Sequence, residues 1–170
     1  MRKAHADELG IRTISDLAAY IRKGGKLTAA FDAEFFTRPD GYPGLKEAYG
    51  FSFPSKPRQM DPGLMYRAIA DEAVDVIDGF ATDGRIPAFE LVILKDDKGF
   101  FPPYYAAPLI RHDTLEAHPE LERVLNQLAG ALSDQTMQAL NYQVDEKGKK
   151  AAEVAREFLV SKDLLPTEEK

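Results

Sequence analysis

Apolar residues recur at three- and four-residue spacing in several stretches, and short apolar runs lie between them. "TISDLAAYIRKGG" places Ile14, Leu17, Ala18 and Ile21 on one helical face, with Thr13 or Ser15 as cap and Gly24-Gly25 as stop. "KLTAAF" reads as a strand from Leu27 to Phe31. "DAEFFTRPDGYPG" reads as a loop with turn chemistry at Pro39-Asp40-Gly41, and "GLKEAYG" as a short helix stopped by Gly50. In "MDPGLMYRAIADEAVDVIDGF", Asp61 caps a helix that opens on Pro62 and carries Leu64, Met65, Ala68 and Ile69. Val74, Val76 and Ile77 then switch to strand character, and "ELVILKDD" predicts a further strand from Glu90 to Asp97. The alternation predicts an α/β lobe with a mostly parallel sheet.

Beyond residue 105, "AAPLIR" reads as another strand. Three helical segments follow: one opening at Pro119 with Leu121, Val124, Leu125, Leu128 and Leu132 on a face, one capped by Ser133 or Asp134, and one carrying Ala151, Val154, Ala155, Phe158 and Leu159. The tail from residue 166 to 170 is expected to fray.

Composition narrows the function. A chain of 170 residues that is 44% hydrophobic and 29% charged has the material for a core. The net charge of -6 argues against non-specific nucleic-acid binding, which needs a basic face. Cysteine is missing, so thiolate and disulfide chemistry are excluded. No apolar run is long enough to cross a bilayer, and "MRKAHADELG" has no apolar core of a signal peptide. His5, His112 and His118 lack metal-ligand spacing, and neither a nucleophile elbow nor a phosphate-binding glycine loop is present. Asp96 and Asp97, flanked by lysines, read as a solvated turn. No enzyme, cofactor or metal is expected.

"KGFFPPYYAAPLIR", Lys98 to Arg111, is the unusual stretch. Pro102 and Pro103 fix the backbone and remove donors, so the rings beside them project in set directions. Core packing is one use of such rings, and is the expected one for Phe31, Phe53, Tyr66, Phe89 and Phe158. The other is a cage for a quaternary ammonium, a cation with no N–H that aromatic faces attract.

Four blocks carry a resemblance: "FFTRPDGYPGLKEAYGF", "MDPGLMYRAIADEAVDVIDGFATDGRI", "LVILKDDKGFFPPYYAAPLIR" and "LNYQVD". The chain resembles the substrate-binding proteins of ABC importers for glycine betaine, choline, carnitine and related osmoprotectants, from Met1 to about Leu165. The resemblance implies a type II periplasmic-binding-protein-like α/β fold: residues 1–103 as lobe two, residues 104–165 as the return strand and C-terminal helices of lobe one, and the N-terminal part of lobe one absent. It implies a solute-binding component that takes a quaternary ammonium osmolyte, with an ABC permease as partner and a periplasmic or extracytoplasmic location. The expected membrane association is through the permease alone.

By the same resemblance Tyr104 is a cage tyrosine, and Phe80 stands where a cage aromatic is common. Arg38 sits where a ligand carboxylate is bound, or else forms a structural ion pair with Glu34 or Asp40. Thr82 and Asp83 belong to the adjoining loop, Asp83 either bonding backbone amides or offering its charge to the cation. Tyr105 ranks below Tyr104, since neighbours on an extended segment point to opposite sides. The alternatives are a binding or sensor domain for a related cationic zwitterion, such as a betainised histidine, and a structural fragment that binds nothing alone or self-associates through the face of the missing segment.

Overall fold

Three short strands, each next to its partner in a parallel ladder, form the sheet of the computed structural model, which describes residues 1–166. Of the predicted frayed tail, residues 167–170 lie outside the described residues. Strand β1 (Ala29–Phe31) is central and wholly buried. It pairs with β2 (Arg58–Gln59) through Ala30–Arg58 and Phe31–Gln59, and with β3 (Val76–Ile77) through Ala29–Val76 and Ala30–Ile77. The order β2-β1-β3 means that the chain leaves β1 to one side, then returns past it to the other. In open α/β sheets that reversal opens a crevice at the carboxyl ends of the strands.

Helices α1 (Lys3–Leu9) and α2 (Ile14–Arg22) precede the sheet. Thr13 caps α2 in a reciprocal box with Asp16. Helix α3 (Ala33–Thr37) is capped by Asp32, and α4 (Tyr42–Tyr49) ends on Gly50, whose φ of 64° suits glycine. Asp61 caps α5 (Pro62–Ala70), and a one-turn α6 (Arg85–Ala88) follows β3.

The predicted loop at Ala33–Thr37 is thus a helix. Its cap, Asp32, accepts from the amides of Glu34 and Phe35 at 2.7 and 3.0 Å.

The chain divides into two units: Met1–Ala81 with Arg85–Pro102, and Thr82–Gly84 with the residues from Pro103 onward. The first unit closes its own core. Phe31 lies 4.9 Å from Tyr42, 5.2 Å from Phe35 and 6.0 Å from Phe53 between ring centroids. Burying one such ring contributes about 1.5–3 kcal/mol. Met65, Ile69 and Val74 pack with Ala30 on a second cluster. The Arg2 guanidinium donates to the carbonyls of Ile69 and Val74 at 2.9 and 2.8 Å and meets Asp75 at 3.3 Å. Asp75 accepts in turn from the Thr28 amide and hydroxyl, so one polar knot joins α1, the end of α5 and the edge of β3.

Two predicted strands do not form ladders. In Glu90–Asp97, Leu91 bridges singly to Arg2 and Lys95 to Thr13, while Val92 exchanges bonds with Met1. The apolar side chains Val92 and Leu94 still pack on the core, which is why the run looks like a strand. Residues 106–111 have no ladder partner either, since Pro108 lacks a donor and the segment is exposed apart from a half-buried Ile110. Phe89 and Phe158, expected in the core, are half-buried.

The second unit holds α7 (His112–Ala117), α8 (Glu120–Leu125) running into a 3-10 turn at Asn126–Leu128, α9 (Asp134–Asp145) and α10 (Ala151–Ser161). Ser133 caps α9. Helices α9 and α10 pack together, with Val154 buried and Lys149 bonded to Gln143 and Glu157.

Candidate functional site

The carboxyl ends of β1 and β3 each pass directly into an aspartate. Asp32 follows Phe31, and Asp78 follows Ile77. The Asp32 amide donates to Asp78 Oδ1 at 3.0 Å, which brings the two carboxyl groups together. Burial, and then the bond to Asp32, push the Asp78 carboxyl up to about 7. Asp32 is held below the usual range by the bond from Asp78, by the Phe35 and Glu34 amides and by the charge of Arg38.

Two of the predicted residues extend from this pair. Arg38 stands at the C-terminal end of α3, the helix that Asp32 caps. Its guanidinium meets Glu34 at 3.1 Å and Asp40 at 2.6 Å, so both ion pairs open to it in the sequence are formed. Phe80 lies two residues beyond Asp78, its ring 82% exposed. Behind it, a Cβ on Gly79 would come within 2.8 Å of the Tyr66 hydroxyl, so the loop lies close on α5. The Tyr66 ring stacks on Phe89 and lies 4.3 Å beneath the Arg85 guanidinium.

The remaining predicted residues belong to the second unit. The Thr82 carbonyl accepts from the Asn141 side chain on α9 at 2.8 Å. Asp83 is half-buried, and Gly84 is so close to α9 that a Cβ would lie 2.4 Å from the Tyr142 nitrogen. Two blocks of the resemblance, "ATDG" and "LNYQ", therefore meet here. Asn141 and Tyr142 of the second block have a role here that their pattern in the sequence does not signal. Tyr104 and Tyr105 stand on the coil after the two prolines, 70% and 88% exposed.

The aspartates of the "KDDK" turn do more than face water. Asp96 accepts from the Tyr49 hydroxyl and from the Phe101 amide at 2.8 Å, and Asp97 accepts from the Ser15 amide at 3.1 Å. Burial pushes Asp96 up, but Tyr49 and the amides of Phe101, Phe100 and Lys98 hold it below the usual range. Burial and the bond to Asp96 raise the Tyr49 phenol to about 12. Phe101 packs 4.8 Å from Phe100 and 6.3 Å from Phe35, so the chain reaches Pro102 from a fixed base.

Among the described residues no three acidic or histidine side chains are grouped to hold a metal, and no helix is long and apolar enough to cross a membrane. A shallow depression between α2 and α4, lined by Arg22, Lys46, Glu47 and Phe51, contains none of the predicted residues.

The parallel sheet of order β2-β1-β3 with its helices makes an α/β lobe of the periplasmic-binding-protein class, the class of its structural neighbours. Comparison with solved structures agrees. A structure titled glycine betaine/carnitine/choline ABC transporter matches with a TM-score of 0.86 and 43% identity, over 96% of this chain and 59% of that one. Residues 1–161 match the family described as the substrate binding domain of ABC-type glycine betaine transport system, and the chain belongs to that family, which is one of transport domains rather than enzymes. The carnitine transport binding protein OpuCC of Listeria monocytogenes is 41% identical over 94% of this chain and 51% of its own length. The ergothioneine transport permease/ergothioneine binding protein EgtU of Helicobacter pylori is 40% identical over 92% of this chain and 28% of its own length. The chain thus spans about half, or less, of the length of these curated relatives.

Proposed function

We propose that this chain is part of the solute-binding component of an ABC importer and grips a quaternary ammonium osmolyte through Tyr104 and Phe80. One observation carries the reading: both rings are left bare, at 70% and 82% exposure, in a chain that buries Phe31, Phe51 and Phe53. Core packing therefore does not account for them, and a desolvated cation can. Each ring contributes roughly 0.5–2 kcal/mol to such a cation. Tyr105 supplies a secondary contact, and Thr82 and Asp83 hold the adjoining loop. Residues 1–103 act as lobe two and residues 104–165 as part of lobe one, with closure favoured by ligand contacts. The partner is a membrane permease, and the working location is extracytoplasmic.

Isothermal titration with choline, glycine betaine and carnitine tests the proposal. A saturable one-site curve is expected, weakened roughly 2- to 30-fold in Tyr104→Ala. Unchanged affinity in that variant rejects the cage. Arg38 must exchange Glu34 or Asp40 for a ligand carboxylate, so Arg38→Gln is expected to weaken glycine betaine and leave choline within about twofold. Equal loss for both ligands rejects the clamp.

A second reading has support from the EgtU likeness: a larger betainised zwitterion as ligand. Titration with ergothioneine decides it, binding tighter than choline favouring the second reading.

A further inference from the structure

The turn that leads to Pro102 is pinned to α4 before the prolines begin. The last residue of that helix, Tyr49, is buried, and its hydroxyl donates to Asp96 Oδ1. The same hydroxyl oxygen accepts from the Lys98 amide at 3.0 Å. The Lys98 ammonium donates to the Ala48 carbonyl at 2.7 Å and lies 4.9 Å from the centre of the Tyr49 ring. Earlier in the helix, a Cβ on Gly44 would come 3.1 Å from the Phe100 ring, so that ring lies close on α4. Asp96 is the node of the turn. One of its oxygens takes the Tyr49 hydroxyl, and the other takes the Phe101 amide at 2.8 Å. A buried phenol that donates once and accepts once is fixed in place, and it fixes the carboxylate in turn.

Past Phe101 the surroundings change. Residues 102–109 are exposed and form neither helix nor strand. Each of the two prolines locks its own φ, and each keeps the residue before it extended. Few free torsions therefore separate the Phe101 backbone from Tyr104. We propose that Tyr49 and Asp96 are positioning residues for Tyr104: their bond fixes the Phe101 backbone, the prolines carry that direction on, and the ring is already in place when the cation arrives. This rests on the reading of Tyr104 as a ligand contact. A ring held beforehand spares the ligand the entropy of ordering it.

The test is a double-mutant cycle on choline affinity. Tyr49→Phe keeps the buried ring and removes only the hydroxyl. It is expected to weaken choline roughly threefold, by no more than Tyr104→Ala does, and less than about 1.5-fold in a Tyr104→Ala background, since a ring that is gone cannot be misplaced. Thr13→Ala lowers stability at the α2 cap and is expected to leave choline affinity within about 1.5-fold. An unweakened Tyr49→Phe, an equal loss in both backgrounds, or a like loss in Thr13→Ala overturns the proposal. If wild type does not bind choline, or Tyr104→Ala binds it as wild type does, the ligand assignment fails by itself, and NMR relaxation of the free protein decides the positioning. Backbone motion at the Tyr104 amide that rises in Tyr49→Phe and not in Thr13→Ala upholds it. Motion there that is the same in all three proteins overturns it.

Discussion

Ile69, in the first unit, is wholly buried, whereas Leu109, in the second, is fully exposed. The contrast holds along the chain. Met1, Ile11, Leu27, Met65 and Val74 all lie inside the first unit, while Val154 is the one buried hydrophobic residue of the second among the described residues, and Val124 and Leu132 remain exposed. Both units are rich in helix. The difference shows that amphipathic helices alone do not make a core. The first unit has a buried strand for its helices to close on, and the second has only helix against helix.

The largest test of that contrast is a pair of truncations. Ile69→Ala is expected to cost about 2–5 kcal/mol in urea denaturation, and Leu132→Ala under about 0.5 kcal/mol. Comparable costs would mean that the second unit has a core of its own.

The next effect is on pH. Asp78 has a folded pKa raised from the ordinary 3.8 to about 7, so the folded state binds more protons than the unfolded chain between those values. Its contribution to stability is therefore fully present below about 4, falls as pH rises toward about 7, and is level above. Chemical denaturation of wild type against Asp78→Asn across that window should show the slope only in wild type. A slope that survives in the variant assigns it to other groups.

The smallest effect compares two caps. Thr13→Ala is expected to cost about 1 kcal/mol of the first unit's stability, because it opens a helix seated on the core. Ser133→Ala is expected to speed hydrogen exchange in the first turn of α9 and leave the denaturation midpoint in place. A shifted midpoint in the second variant would join the two units into one cooperative fold.

The caps show what the sequence made legible. Thr13, Asp61 and Ser133 announce their helices because an oxygen beside a free amide acts locally. Glu90–Asp97 has the pattern of a strand without being one, because Val92 and Leu94 pack on the core while its backbone bonds go to scattered partners, and only the side chains leave a pattern. The short α3 was hidden by the turn residues just after it, although Asp32 stood as its signal. In the site, the exposed rings Phe80 and Tyr104 could be singled out from the sequence and its resemblance. The Asp32–Asp78 bond could not, since its members are far apart in the chain and meet only through the β1–β3 register. Asn141 was equally hidden, as its partner is a backbone carbonyl, which every residue has.

The three residues Thr82–Gly84 belong with α9 although the chain on both sides of them belongs to the first unit. The polypeptide is therefore woven rather than strung: it passes between its two units after Ala81, after Gly84 and again after Pro102. No single cut separates such a pair cleanly. A protease nicking at Pro103 would release α9 from the backbone of the first fragment, yet leave that fragment holding the strip on which Asn141 and Tyr142 sit. The two pieces would be expected to co-purify after cleavage, as a garment holds at a second seam when the first is unpicked.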